Sequence, residues 1–308
     1  MEKKDMVLTR ERKKEDKAEK ERKEPFENDL EAFLSHLRKK GFSKNTTTSY
    51  CIAIKDFLAL YSELSVKNLE SYRWHLLKSY RASSVNVKIS AINHFLKYLM
   101  SQEPYRSAEP VPEWRGYLLQ TVDIQKVSFV ENVISQEDYE KMKKGLKEEG
   151  EDRWYFLVRY LAGTGARVSE VIQIKAEHVK LGYVDLYSKG GKIRRIFFPE
   201  CLVLETLDWL EREKRESGFL FLNRGGKQIT PRGINCQLKQ IALRYQINPD
   251  TVYAHSFRHL FAKNFLQKMN DIALLSDLMG HESIETTRVY LKKSTMEQRE
   301  LIDKIITW

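Results

Sequence analysis

Between His255 and Tyr290 the chain concentrates side chains suited to attack on a phosphodiester. The stretch reads His255-Ser256-Phe257-Arg258-His259, then an apolar helical run through Leu274, Leu275 and Leu278. It continues with Met279-Gly280-His281 and closes on Thr286-Thr287-Arg288-Val289-Tyr290. Two histidines and an arginine ahead of a phenol are out of place in an apolar core. A phosphodiester carries one negative charge and gains more in the transition state of its displacement, so fixed cationic donors aimed at the non-bridging oxygens matter most. Arginine suits that task because its planar fork donates bidentately and stays protonated. A tyrosine hydroxyl, with a pKa near about 10, needs a neighbouring base or cationic field to lose its proton at neutral pH. His255 or His281 can take that proton or hydrogen-bond the phosphate. A single arginine is thin for the purpose, and the leaving oxygen still needs an acid.

Both are supplied upstream. Gly163-Thr164-Gly165-Ala166-Arg167-Val168-Ser169-Glu170 lies between two apolar helical runs, so Arg167 emerges where a glycine turn feeds a helix. Tyr183 to Tyr187 and Ile193 to Phe198 then flank Ser188-Lys189-Gly190-Gly191-Lys192, the pattern of a β-hairpin with a glycine turn. Lys189 at its tip can reach a leaving oxygen as general acid, with Lys192 as the alternative.

In this order the motifs GxRxSE, hairpin lysine, HxxRH, GH and TTxxY resemble those of the tyrosine recombinases, the group of phage integrases and Xer-type recombinases. The likeness is dense from about Gly163 to Leu291 and looser before it. It implies that Arg167 and Arg258 clamp the phosphate, that Lys189 is the general acid and His255 the acid/base partner. It further implies that His281 fills the second histidine position, that Tyr290 is the nucleophile and that Glu170 is a supporting acidic residue. One departure is Met279, where leucine is commoner. The implied activity is site-specific strand exchange through a 3′-phosphotyrosyl link and a Holliday junction, serving integration and excision or chromosome-dimer resolution. The covalent link conserves the bond energy, so no metal, ATP or other cofactor is implied; the sequence shows neither a phosphate-binding glycine loop nor ligand-spaced carboxylates or cysteines. Two alternatives use related features: a type IB topoisomerase that rejoins the original strand, and a DNA-binding accessory protein that keeps the fold without the chemistry.

The elements that must carry these residues fit two domains in 308 residues. Lys and Arg number 53 against 43 Asp and Glu, a formal net charge of +10 that favours a polyanionic partner such as double-stranded DNA. No apolar run is long enough to cross a bilayer, so a cytoplasmic protein without membrane contact is expected. Cys51, Cys201 and Cys236 are scattered, as in a reducing compartment. Residues 1–24 alternate basic and acidic side chains with little that is apolar, the pattern of a disordered tail.

Helical stripes follow over residues 25–105: Phe26 to Leu37, Tyr50 to Tyr61, Leu69 to Leu77, and Val85 to Leu99 with Ser83 or Ser84 as cap. They predict a four-helix bundle, which resembles the SAM-like core-binding domain of the family. Off the stripes, Lys44, Thr47 and Lys55 on the second helix and Asn86, Ser90, Asn93 and Lys97 on the fourth are candidates for DNA contact. Residues 106–134, with Pro110 and Pro112, read as an interdomain connection on which Trp114 is a packing anchor.

Ser135-Gln136-Glu137-Asp138 opens a mainly helical catalytic domain, 135–308, with one small antiparallel sheet. Helices are predicted over about 135–148, 153–161, 168–175, 200–215, 233–245, 255–269 and 271–279. Arg232, Asn235 and Lys239 on the 233–245 segment add further DNA-contact candidates. His259 is expected as a buried hydrogen-bonding residue outside the chemistry. After Tyr290, Leu301, Ile302, Ile305, Ile306 and Trp308 form an apolar stripe that packs on its own domain or on a neighbouring protomer. The resemblance implies the latter, within a tetramer on DNA, with an accessory or partner recombinase as a further possibility.

Overall fold

The computed structural model describes residue 26 and residues 28–61, 63–103, 105–124, 132–187, 193–281, 283–291, 299 and 302–306. The chain divides into two compact units, residues 1–126 and 127–308.

The first unit is the expected four-helix bundle: α1 (residues 28–39), α2 (Lys44–Leu60), α3 (Val66–Ser79) and α4 (Ala82–Met100). Ser43 and Ser65 cap α2 and α3, their hydroxyls accepting from the Thr46 and Asn68 amides at 3.1 Å. On α4 the cap position is Arg81, so Ser83 and Ser84 fall inside the first turn. The apolar stripes converge as their spacing requires: Phe33, Leu37, Ile54, Phe57, Leu69, Leu76, Ile89, Ile92 and Leu96 all lie in one buried core. Full burial of each such side chain contributes roughly 1.5–3 kcal/mol.

Part of the stretch expected as interdomain connection belongs to this bundle instead. Trp114 and Leu119 are buried in its core. Asn93 pairs both ends of its amide with Leu119, Nδ2 donating to the carbonyl and Oδ1 accepting from the amide, each at 2.9 Å. Asn86 does the same with Val122, both at 2.8 Å. Two helical turns separate the asparagines, about 10.5 Å at 1.5 Å per residue. Three extended residues cover about 10 Å, so the spacings on helix and strap match.

This corrects several candidates for DNA contact. Asn86 and Asn93 spend their amides on the strap, and the Ser90 hydroxyl lies 3.0 Å from that of Tyr50. Thr47 is buried, with its hydroxyl donating to the Ser43 carbonyl at 3.0 Å. Lys44, Lys55 and Lys97 stay exposed.

In the second unit Ser135 caps α5 (Gln136–Glu148), accepting from the Asp138 amide at 3.0 Å. Next come α6 (Asp152–Thr164), whose apolar residues are almost all buried, α7 (Val168–Val171) and α8 (Ala176–Leu181). Of the helix predicted over 168–175 only Val168–Val171 forms; the chain then bridges from Lys175 to Phe219, and α8 begins just beyond the predicted stretch. Strands β1 (Tyr183–Tyr187) and β2 (Ile193–Phe197) pair antiparallel, with Tyr183 opposite Phe197 and Tyr187 opposite Ile193. There follow α9 (Glu200–Arg212), α10 (Pro231–Arg244), α11 (Ala254–Lys268), α12 (Ile272–Met279), α13 (Ile284–Thr287) and a 3₁₀ turn, Arg288–Leu291. Of the terminal apolar stripe, residues 302–305 are described and helical, with Ile302 and Ile305 exposed. Among the described residues no helix is long and apolar enough to cross a membrane.

The strap yields a prediction. Asn93→Ala leaves the Leu119 amide and carbonyl without their partners, which should cost about 1–3 kcal/mol in urea unfolding. Hydrogen exchange should quicken at Leu119 while amides deep in α4 keep their protection; unchanged exchange at Leu119 would show that apolar packing alone holds the strap.

Candidate active site

The centre of the site is the end of α12. Asp271 caps its start, accepting from the Leu274 amide at 2.9 Å, and Gly280 ends it in the left-handed region at φ 63° and ψ 49°. The Gly280 amide turns back to the Asp277 carbonyl at 2.9 Å and the His281 amide to the Ser276 carbonyl at 3.1 Å, a Schellman turn. The next three carbonyls each accept from a different arginine. Leu278 takes Arg194 Nη2 at 2.8 Å, Met279 takes Arg258 Nη2 at 2.7 Å and Gly280 takes Arg167 Nη2 at 3.3 Å. The negative end of the helix dipole faces the same three guanidiniums.

Each arginine arrives from its own element. Arg167 stands at the N-cap of α7, after Gly165 has turned α6 off at φ 61°. A side chain at Gly165 would meet the Phe261 ring at 2.4 Å, so the turn demands glycine twice over. Arg258 sits on α11, 1% exposed, with Nη1 donating to the Gly165 carbonyl at 2.6 Å. Arg194 comes from β2, on the same strand face as the buried Ile196. Glu170 binds two of the three: Oε1 accepts Arg167 Nη1 at 3.0 Å, and Oε2 accepts the Arg167 amide at 2.6 Å and Arg194 Nη1.

Burial and the crowding of like charge shift the proton affinities of these groups. Burial, then Arg167 and Arg194, pull Arg258 down to about 10, so it stays protonated at neutral pH. Burial would raise the Glu170 carboxyl, but Arg194 and the Arg167 amide outweigh it and hold it below its ordinary value. His255, whose ring remains exposed, is lowered by surrounding protein and by Arg258 and Arg167.

His281 is engaged at both nitrogens, with Nε2 at 2.7 Å from Arg258 Nη2 and Nδ1 at 2.7 Å from Thr287 Oγ1. A guanidinium only donates, so Nε2 accepts and Nδ1 carries the proton. Burial followed by Arg258, Arg167 and Arg194 lowers this imidazole to about 4. Of the two histidines that could serve as a base on sequence grounds, His281 has no free nitrogen. The buried Thr287 of the TTxxY motif thereby gains a purpose: it fixes the His281 tautomer.

Tyr290 rides on the 3₁₀ turn, half-buried, its ring against the small cluster of Ala262, Leu275 and Met279. It stacks parallel to His281 with centroids 6.1 Å apart and meets His259 edge to face at 5.1 Å. Burial raises its phenol above the usual value, against the pull of Arg258 and Arg167. His259 departs from expectation: its buried Nδ1 has no hydrogen-bond partner among the described residues, and its ring contacts both Tyr290 and, at 4.7 Å, His255.

Arg167, Glu170, His255, Arg258, His281 and Tyr290 are thus assembled in one place. Lys189 and Lys192 lie outside the described residues. The sequence reading missed Arg194. Strand alternation was the available signal, since it puts Arg194 on the side of the apolar Ile196 while Arg195 points outward and forks onto Asp185 at 2.8 and 2.7 Å. Asn235 proves to be a scaffold residue, accepting from the Ala254 amide at 2.9 Å at the start of α11. Arg232 and Lys239 remain exposed, the latter 3.7 Å from Asp250.

The described chemistry has close parallels. Residues 132–297 match the model of the phage integrase family, and residues 30–103 that of the phage integrase N-terminal SAM-like domain. Tyrosine recombinase XerA of Pyrococcus furiosus is 28% identical over 284 residues, covering 89% of this chain and 93% of its own. Tyrosine recombinase XerD of Staphylococcus haemolyticus is 27% identical, covering 89% and 97%. The post-cleavage complex of XerH with its palindromic difH substrate has a similar fold, with a TM-score of 0.67, 19% identity and coverage of 89% and 84%. A lambda integrase tetramer bound to a Holliday junction gives 0.64 at 14% identity, with coverage of 86% and 76%.

The histidines imply a pH dependence of stability. His259 and His281 are held near 4 in the folded chain against 6.5 ordinarily. The unfolded chain therefore binds protons first as pH falls, and stability should drop from about pH 6.5 downward, toward about pH 4. Most carboxylates titrate lower, so loss between about 6.5 and 5.5 belongs to histidine. The urea midpoint should fall over that interval, and His281→Gln should flatten the slope.

Proposed function

The chain belongs to the phage integrase family, whose members cleave and rejoin DNA at specific sites, and from that premise we propose that Tyr290 is the cleaving nucleophile. One observation carries the assignment: three arginines and a single carboxylate are fixed around the turn that leads to Tyr290, leaving a cationic site matched to a phosphodiester and still better to its transition state. Arg258 also keeps a buried Nε donor without a partner among the described residues, a group that a phosphate oxygen would satisfy.

In the proposed step Tyr290 Oη attacks the scissile phosphorus, its bond to phosphorus forming as the bond to the 5′-oxygen breaks. The phenol proton passes to His255, the exposed neutral histidine of the cluster, and Lys189 protonates the departing 5′-oxygen. Arg167 and Arg258 hold the non-bridging oxygens. A 5′-hydroxyl from a partner duplex reverses the step and completes exchange through a Holliday junction. His281 keeps Arg258 in place rather than carrying protons. Exposed Lys44, Lys55, Lys97, Arg232 and Lys239 are the proposed contacts to duplex phosphates, a role that suits lysine as a point charge.

Two duplexes cut in concert require four protomers, and the exposed Ile302 and Ile305 offer an apolar stripe for joining them. Residues 135–308 would then act as the catalytic domain and the bundle as the core-binding domain.

Incubation with a nicked suicide duplex carrying sequences that flank the gene should give a denaturation-resistant adduct mapping to Tyr290, absent with Tyr290→Phe. Tight binding of the duplex by wild-type protein without any adduct would overturn the assignment. Removing residues 297–308 should leave single-site binding intact and abolish synapsis; an unchanged recombination rate would refute assembly through the terminal stripe.

A further inference from the structure

Arg194 takes no direct part in the chemistry above, yet it is the most firmly held cation of the cluster after Arg258. Its side chain is 9% exposed. One arm of the fork meets Glu170 and the other reaches the Leu278 carbonyl at 2.8 Å. A side chain at Gly280 would place Cβ 2.3 Å from Arg194 Cδ and 2.5 Å from its Nε. A free arginine could swing aside from such a contact, but this one is pinned at both arms.

These contacts close a ring. Arg194 holds Glu170, Glu170 holds the Arg167 fork and amide, Arg167 holds the Gly280 carbonyl, and Arg194 returns to Leu278 two residues earlier. Segments from β2, α7 and the end of α12 are registered to one another through a single carboxylate and two guanidiniums. A forked donor is needed for this, since a lysine ammonium cannot span both acceptors with a fixed geometry.

We propose that Arg194 is a positioning residue for strand cleavage, which sets Arg167 and the Gly280–His281 turn in register, and that Gly280 is glycine both for its left-handed backbone and because Arg194 occupies the space its side chain would need. The proposal rests on the functional reading above and adds a residue to it.

The test uses the full-length chain with Arg194→Ala, Arg194→Lys and Gly280→Ala, compared with wild type in binding to the nicked duplex and in single-turnover adduct formation. Binding should be unchanged in all three. Adduct formation should fall about 10²-fold in Arg194→Ala and Gly280→Ala, the usual cost of misplacing a catalytic group by about 1 Å, and less in Arg194→Lys. The pH profile separates positioning from folding. The charged groups facing Glu170 are Arg194 from β2 and Arg167 from its own turn, both paired with it, and Arg258 from α11, which acts on it without pairing. Without Arg194 the buried carboxyl should take a proton more readily, so as pH falls from about 7 to 5 Arg194→Ala should lose activity more steeply than wild type, whose decline follows His255 alone. A rate equal to wild type, or a loss that is uniform across pH and tracks a lowered melting temperature, overturns the proposal. Should wild type itself form no adduct, the functional reading fails while the positioning claim is still decided by NMR titration of His281 in the DNA-free chain. That imidazole, held at about 4, should rise in Arg194→Ala as the turn loosens, and an unmoved titration refutes the claim.

Discussion

A helix must do something with the carbonyls at its last turn, because no amide of its own remains to meet them. At the end of α12 the Schellman turn disposes of two, Ser276 and Asp277, and three arginines dispose of the next three. The rest of the catalytic unit can be understood as the means of bringing those arginines there. Strand β2 delivers Arg194, the glycine turn after α6 delivers Arg167, and α11 delivers Arg258 from a start pinned by Asn235 and Ser256. Ser256 accepts from the Ile134 amide at 2.8 Å and donates to the Thr251 carbonyl at 2.6 Å. Hydrogen bonds to ionised groups are worth roughly twice neutral ones, so the cage is stiff as well as charged.

Its charge is a liability without a ligand. Burial first, and then the neighbouring guanidiniums, lower the proton affinity of Arg258, His255 and His281, and among the described residues Glu170 is the carboxylate paired with two of the three arginines. A fold selected only for stability would have no reason to assemble such a set. The arrangement becomes favourable when an anion enters, and more so when that anion gains charge during reaction. The two carbonyls that bind Arg258 also decide its orientation beforehand, so little reorganisation remains for the moment of catalysis.

Much of this was legible in the sequence, for identifiable reasons. Helical stripes in the first hundred residues specify the bundle because period and burial coincide there, and the cluster of His255, Arg258, His281 and Tyr290 stood out because those types have no place in an apolar core. What was not legible depended on partners far along the chain. Nothing local distinguishes Asn86 and Asn93, bonded to a strap some thirty residues on, from polar groups facing DNA. The turn of the chain at Lys175, after the helix of 168–171 has ended, depends on Phe219, and the engagement of His281 on Thr287 and Arg258. Arg194 and Arg195 are equivalent by composition, and only the alternation fixed by Ile196 tells the inward one from the outward one.

The nucleophile is mounted differently from the cage. Arg167, Arg194 and Arg258 are each tied to backbone carbonyls, whereas Tyr290 sits on a single 3₁₀ turn and is located by ring contacts with His259 and His281 and by Ala262, Leu275 and Met279 beneath it. Ring contacts of this kind are weaker and less directional than charge-assisted hydrogen bonds. Rigid donors and a less tightly held phenol suit a reaction in which the phosphate is bound first and the attacking oxygen must then close on it. They also suit the reverse step, in which the same phenol leaves while the phosphate stays in place. The strongest interactions therefore belong to the groups that hold still, and the residue that forms and breaks a bond is placed by packing.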